Sequence, residues 1–547
     1  MRTASTRFLP GLILLAGALS LPAGAAHAQD EGWGEGDDGF VFEPEETGGF
    51  VFEPEQVGAV PVSPSAPVAR YLQDGMAAYD REDFLAASGF FWRVVQEQDV
   101  SADSIRPRAQ FELAKTLVRM RLLQGALFFF DEIILTGPSH PFFEASAEWL
   151  IVIARRLPGD SEMLRRIHAF APLFPDRVEE KYRDEMAWYL GQHAFNVGER
   201  ERALQYLSLV TPVSTFHPEA VFLQGITHVR LGENRQAVEV FERLLDMTRR
   251  GGQDRRLHEL ARLSLARTYY GLGNYPRAVE YYEAVPRASD AWLDSLFESS
   301  WAYYQLEQFN RALGNLHSLN SPFFNDQFYP EGAVLQAVIQ FYSCRWTEVK
   351  ATLEEYDFVY GPLLEDLRAR MGELEDELAY FQFLRDLTTR TERRFNPRLQ
   401  QVVNLTLNDR SIRNASAFIE ELDRELNLIA TSDPGWARSE LGEYLRGETL
   451  ATRDLAMIDA GVLVRNRLQS LADELAQHDR SMRGIQVETE LAEAGVISAN
   501  LAEELYRGEG QQATQVDRSE YMTWSFDGEY WRDELGYYYY QLRSRCQ

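Results

Sequence analysis

His258-Glu259 opens like a His-Glu-x-x-His zinc-peptidase helix, in which two histidines one turn apart hold the metal and the glutamate acts as base. The second ligand would fall at position 262, where Arg262 stands. Neither Cys344 nor Cys546 has a nearby His in sequence to mark a thiolate nucleophile, and their spacing is not that of a zinc site. An oxidising compartment would permit a bridge between them, and the sequence leaves that open. The pairs Glu354-Glu355 and Glu503-Glu504 have the groups for acid/base work, yet carboxylates on amphipathic helices ordinarily form the solvated face. The chain carries no P-loop and no Gly-x-Ser-x-Gly elbow. No catalytic, cofactor-binding or metal-binding residue is therefore assigned, no cofactor is expected, and the chain reads as a non-enzyme. The alternative is an enzyme accessory or a hydrolase with an unrecognised site in the C-terminal helical region. Such a site would show as a deep pocket around a carboxylate of raised pKa.

Binding chemistry is easier to place. The formal charge is -29 over 547 residues, which argues against nucleic acid, because phosphate contacts need clustered Lys and Arg. It equally disfavours adsorption on an anionic membrane surface. Lysine occurs only at Lys115, Lys181 and Lys350, so arginine supplies nearly all the positive charge. An arginine lining a groove can grip a carboxylate with two parallel hydrogen bonds, which lysine cannot.

The N-terminus reads as an export signal: Arg2 and Arg7, an apolar run from Phe8 to Leu21, then Ala26-His27-Ala28 as a small-x-small cleavage site. Cutting after Ala28 removes two arginines and no acid, moving the charge from -29 to -31. No cysteine lies near the cut, so a lipoprotein is not expected, and no later run has the length of a membrane span. Residues 29–67 are acidic, rich in Gly and Pro and poor in aliphatics, the composition of a disordered linker. Within it Gly39-Phe40-Val41-Phe42-Glu43-Pro44-Glu45 returns as Gly49-Phe50-Val51-Phe52-Glu53-Pro54-Glu55. Phe40, Phe42, Phe50 and Phe52 would anchor a two-copy docking peptide that adds a strand to a partner's sheet edge, or else mark a drifted duplication in a spacer.

From residue 68 the pattern is one of paired helices. A small residue recurs where two helices touch, and a large one where a gap to the next pair must be filled. Ala266, Tyr269, Gly273, Tyr275, Ala278 and Tyr282 make the clearest copy. Others are Gly225, Gly232, Ala237 and Phe241; Gly191, Gly198, Ala203 and Leu207; and Ser300, Tyr303, Phe309, Ala312 and Leu316. Ala337, Trp346, Val349 and Leu353 make a weaker copy, and Gly75, Phe84, Ala87 and Phe91 with Ala114, Leu117, Leu123, Ala126 and Phe130 extend the series upstream. A degenerate pair is expected over 145–180. In these residues the chain resembles the tetratricopeptide repeat superfamily across 68–357, with a period on or just above that family's. The resemblance implies an α-solenoid whose first helices line a concave, protein-binding face. His228, Arg230, Arg267 and Tyr304 are the residues expected to face it. Lysine is missing across 182–349, which disfavours the clamp subtype that grips a terminal carboxylate.

Pro322, Pro330 and Pro362 punctuate the end of the array, with Pro362 expected to lie beyond it. Leu367, Met371, Leu374, Leu378 and Phe381 then form a coiled-coil-like seam, and Leu455, Ile458, Val462, Leu468, Leu471 and Leu475 mark another long helix. Folding back within one chain is preferred to dimerisation. Asp527-Gly528 between aromatic runs predicts a small hairpin-like tail that docks on the helical body. The stretch from Trp524 to Tyr537 resembles the ending of secreted myxobacterial-type tetratricopeptide proteins, some linked to gliding motility in the periplasm.

The expected chain is thus all-α: a signal peptide (1–28), a linker (29–67), a solenoid (68–357), a helical region (358–510) and an aromatic tail (511–547). The expected function is a periplasmic or secreted scaffold for protein or peptide partners in the cell envelope, with no nucleic acid, no membrane segment after cleavage, and an oligomeric state left open.

Overall fold

The computed structural model describes residues 67–98, 102–157, 176–249, 255–324, 327–389, 409–499 and 528–546 (save 543), with a few isolated positions between them. The signal, linker and Phe-Val-Phe expectations lie outside the described residues.

Among the described residues, seven helix pairs stack in chain order. They are α1 (Pro67–Asp80) with α2 (Phe84–Gln96), and α3 (Arg106–Arg119) with α4 (Leu123–Thr136). After the lone α5 (Phe143–Ala154) come α6 (Glu180–Asn196) with α7 (Arg200–Leu209), and α8 (His217–Arg230) with α9 (Asn234–Thr248). Then follow α10 (Arg255–Gly271) with α11 (Tyr275–Glu283), α12 (Trp292–Gln305) with α13 (Phe309–Leu319), and α14 (Pro330–Tyr342) with α15 (Trp346–Glu373). The residues after α5 in which its partner is expected lie mostly outside the described residues.

The small–large rule explains the pairing. A Cβ at Gly75 would meet the Phe91 ring at 2.6 Å, and one at Gly191 would meet Leu207 at 2.7 Å. Ala87, Ala126, Ala203, Ala237, Ala278 and Ala312 on the second helices are fully buried. Each turn between paired helices uses the same device. One residue sits in the left-handed region, from φ 55° at Cys344 to φ 81° at Gly198, with Glu82, Arg121, Gly232, Gly273 and Glu307 between. The following amide then bonds five residues back, as in Leu122 N–H to Leu117 O and Asn274 N–H to Tyr269 O, both 2.9 Å. This satisfies the carbonyls that a helix end leaves open.

Pro362 does not lie beyond the array but inside α15, which continues to Glu373. Proline forfeits one helix hydrogen bond there, yet Leu363, Leu364 and Leu367 just after it are buried against the C-terminal helices, which outweighs the loss. The seam from Leu367 to Phe381 is not one helix either. Leu374 is extended, at ψ 114°, and Asp376 caps a new helix, α16 (Glu377–Thr389), by accepting Ala379 N–H at 2.8 Å.

The remaining helices are α17 (Arg410–Thr431), the short α18 (Pro434–Ala437) started by Asp433, and the 60-residue α19 (Glu440–Ala499). At 1.5 Å per residue, α19 is about 90 Å long. Its buried side is Met457, Ala460, Val464, Leu468, Leu471 and Leu475, whereas Leu455 and Ile458 are exposed. The true stripe is therefore rotated from the expected one in the first half of the helix. It packs on α15, α16 and α17 of the same chain.

Both ends of α19 also reach the solenoid. Near its start, Tyr444 packs on Trp92 and Phe129, with ring centroids 5.1 and 6.3 Å apart. Further on, Met482 and Ile485 pack on Val334, Val338, Val349 and Leu353 of the last pair. One helix thus links the first two pairs of the solenoid to the last.

No strand occurs among the described residues. From Gly528 the described tail runs irregularly over α12 and α13, and its amides find partners on the solenoid: Tyr540 N–H to Asn310 O at 3.1 Å and Arg545 N–H to Ser343 O at 3.0 Å. Thr523 to Asp527, the other arm of the expected hairpin, lie outside the described residues. Cys344 and Cys546 are bridged, so the left-handed turn of the last pair is tied to the tail.

Candidate protein-interaction surface

The first helices carry a repeated stripe. Counting three residues back and four forward from the small position of each gives Trp188 and Phe195 on α6 and Phe222 and Val229 on α8. The same count gives Leu263 and Tyr270 on α10, and Phe297 and Tyr304 on α12. Residues seven apart share a helix face. All but Leu263 are half-buried, so a large side chain is held on its inner side and open on its outer side. At the last pair the same count from Ala337 gives Val334 and Phe341, and here the stripe is covered by Met482 and Ile485 of α19.

Tyr304 is the expected site residue that belongs to this stripe. It packs edge-on to Trp301 at 5.7 Å and near Phe309 and Tyr342, and burial pushes its hydroxyl up to about 12. The others are placed differently. His228 reaches over the turn to Glu233, Nδ1 to Oε2 at 2.7 Å, and helps close its own helix pair. Arg230 is half-buried on the last turn of α8. Arg267 is committed within the chain: Nε and Nη2 donate to the Glu298 carboxylate at 2.6–3.0 Å, Tyr282 OH donates to the same carboxylate at 2.9 Å, and Asp294 lies 3.9 Å away. Burial alone would lower the Arg267 pKa, but Glu298 outweighs that and holds it above the usual arginine range. The guanidinium is a rivet between successive pairs. Phe40, Phe42, Phe50 and Phe52 lie outside the described residues.

The stripe was open to sequence reading, since the small positions fix its register. The cue of charge, which favoured Arg267, pointed to a residue whose partner stands one repeat further on.

The hydrolase alternative asks for a pocketed carboxylate in the C-terminal helices. Glu425 on α17 has the raised pKa, pushed up to about 7 by burial against the pull of backbone donors. Its two oxygens accept Gln124 N–H and Gly125 N–H, both at 2.8 Å, in the first turn of α4. It is a helix cap delivered from 300 residues away, and that role accounts for its burial. His258 likewise bonds Thr248 Oγ1, at 2.8 Å. Among the described residues no group of three or more His, Cys, Asp or Glu is placed to hold a metal, and no helix is long and apolar enough to cross a membrane.

Stacked pairs with these turns and these small–large contacts define an all-α solenoid. A tetratricopeptide repeat family model matches residues 261–288, which cover most of α10 and all of α11. Solved structures similar to the chain include the crystal structure of MamA, at 17% identity over 29% of this chain and 88% of that one, TM-score 0.22. A tetratricopeptide repeat protein from Parabacteroides merdae is 14% identical over 53% of this chain and 92% of its own, TM-score 0.25. A thermophilic TPR protein from Thermus thermophilus is 20% identical over 43% of this chain and 99% of its own, TM-score 0.18. No curated protein matches the chain at a significant level.

Proposed function

We propose that this protein is a non-catalytic scaffold of the bacterial cell envelope, exported by its N-terminal signal, that binds protein partners on the stripe of α6, α8, α10 and α12. The observation that carries this reading is the stripe itself. Large side chains repeat at one register, half-buried and pre-positioned, and at the last pair that register is used by the chain's own amphipathic helix. Rigid, partly exposed aromatics lose little entropy on contact and are favoured anchors at interfaces. A groove that accepts Met482 and Ile485 at one end fits an amphipathic helix or an apolar peptide along the rest. The resemblance of the ending to periplasmic tetratricopeptide proteins favours an envelope or motility assembly as the setting.

Affinity co-purification of the mature chain from envelope extracts tests the reading, beside a form lacking residues 29–67. A defined set of envelope proteins retained by the full chain supports the scaffold. Loss of part of that set in the shortened form assigns the duplicated Phe-Val-Phe peptide to docking. No reproducible partner for either form, even after cross-linking, would count against the scaffold.

A further inference from the structure

The tail from Gly528 to Cys546 is seated on the solenoid in the manner of a bound peptide. Its backbone borrows partners from the solenoid: Gly536 N–H donates to Ser318 Oγ at 2.8 Å and Leu542 N–H to Asn310 Oδ1 at 2.7 Å. Arg287 lies between the Trp292 and Tyr537 rings, 5.4 and 5.1 Å from their centroids, and donates to the carbonyl oxygens of Arg532 and Asp533. The His317 ring stacks on Tyr530 at 4.9 Å and meets the edge of Tyr538 at 4.8 Å. Gly314 lets the tail backbone come down onto α13, where any Cβ would strike the Tyr538 carbonyl.

Tyr540 and Leu542 of the tail pack only on the outside of the apolar cluster there, as partly buried side chains. Ala312, Leu313 and Leu316 of α13 are buried in one cluster with Leu296, Trp301 and Leu335 of α12 and α14. At its far end the tail is held covalently, and the Cys546 side of the bridge is exposed, so a reductant can reach it. Disulfides that are exposed are the labile ones.

We propose that the flank of α12 and α13 is a docking surface for an extended, tyrosine-rich segment, closed in cis by the chain's own tail and released when the Cys344–Cys546 bond is reduced. The reductant is a dithiol. Its two sulfurs give up two electrons and two protons and join as a disulfide, while Cys344 and Cys546 each gain one proton and one electron as the bond between them breaks. The tail then keeps a single tether, and its effective concentration at the flank falls. This surface is separate from the stripe, so the proposal stands or falls independently of the scaffold reading.

Hydrogen exchange on the full chain, oxidised and then reduced with dithiothreitol, reads the latch directly. We expect the Gly536, Tyr540, Leu542 and Arg545 amides to exchange at least tenfold faster after reduction, with the helical circular dichroism unchanged. The C546S variant should behave as the reduced chain without any reductant. A labelled synthetic copy of residues 528–545, added at millimolar concentration, should photo-cross-link to α13 in the C546S variant and not in the oxidised chain. Unchanged exchange in both the reduced chain and C546S would overturn the proposal, as would loss of the helical signal, which would make the bond a structural staple. Failure of the peptide to cross-link to the opened chain would equally overturn it.

Discussion

Glu425 and Gly125 stand 300 residues apart, and the Glu425 carboxylate accepts the Gly125 amide at 2.8 Å while its second oxygen accepts that of Gln124. The N-terminal turn of α4 exposes amides with no partner in its own helix, and α17 supplies the missing acceptor. Trp436 of α18 repeats the theme, its Nε1–H donating to Ser88 Oγ at 2.9 Å. The C-terminal helices are thereby fastened to the first two pairs, as α19 is to the last.

Removing this cap should be costly. Glu425→Ala leaves two buried donors unmet, at roughly 1–3 kcal/mol by the usual cost of an unsatisfied polar group. Denaturant unfolding of the variant beside the wild type measures it, and a loss below a few tenths of a kcal/mol would show that the contact does not fasten the two regions.

The same carboxylate gives a pH signature. Its folded pKa is raised from an ordinary 4.5 to about 7. Between those values the folded chain holds a proton that the unfolded chain has released, so stability falls as pH rises from about 4.5 to about 7 and is flat above. His317 works the other way: burial lowers its pKa from 6.5 to about 4, and stability contributed by its neutral ring is lost as pH falls through that window. The difference in unfolding free energy between wild type and Glu425→Gln isolates the first effect, since His317 is common to both. That difference should move in favour of the wild type as pH is lowered from 8 to 5. A pH-independent difference would refute the assignment.

Where two helices touch, added volume should destabilise. Gly75→Val puts methyl groups where the Phe91 ring already stands 2.6 Å from an ideal Cβ, so about 1–3 kcal/mol of overpacking is expected. Gly89→Ala on α2, whose Cβ would meet nothing within 4 Å, is the control and should cost nothing. Thermal melts of the two variants decide it.

These contacts were legible because they are local. Gly75 and Phe91, or Gly191 and Leu207, are partners within one pair, and the small–large alternation announces them. Glu425 was not legible, since a glutamate amid charged neighbours on α17 looks like any solvated carboxylate and its partners are amides far back in the chain. The same distance hid the Cys344–Cys546 bridge, with 202 residues between its ends. Pro362 reads as a helix end because a proline's local cost is visible in sequence, while the burial of Leu363 and Leu364 that outweighs it is not. Arg267 reads as a groove residue in sequence because Glu298, its partner, belongs to the next pair.

The Arg267–Glu298 contact should behave as a buried pair, with side chains only 17% and 19% exposed. Arg267→Ala strands the carboxylate and should cost about 3–5 kcal/mol. The double variant Arg267→Met with Glu298→Leu should recover most of that loss, leaving the Tyr282 hydroxyl without its acceptor. A double variant as unstable as Arg267→Ala would mean the two residues are not coupled.

The central claim is that partners meet the stripe on the first helices. Site-specific photo-cross-linking tests it most directly, with a photoreactive phenylalanine analogue replacing Phe195, Phe222 or Tyr270 in turn, and Tyr281 or Val213 as controls off the stripe. In envelope extracts, the stripe positions should capture the same partner at neighbouring sites along its chain, and the controls should capture little. Capture at the controls in place of the stripe, or equal capture everywhere, would contradict the account.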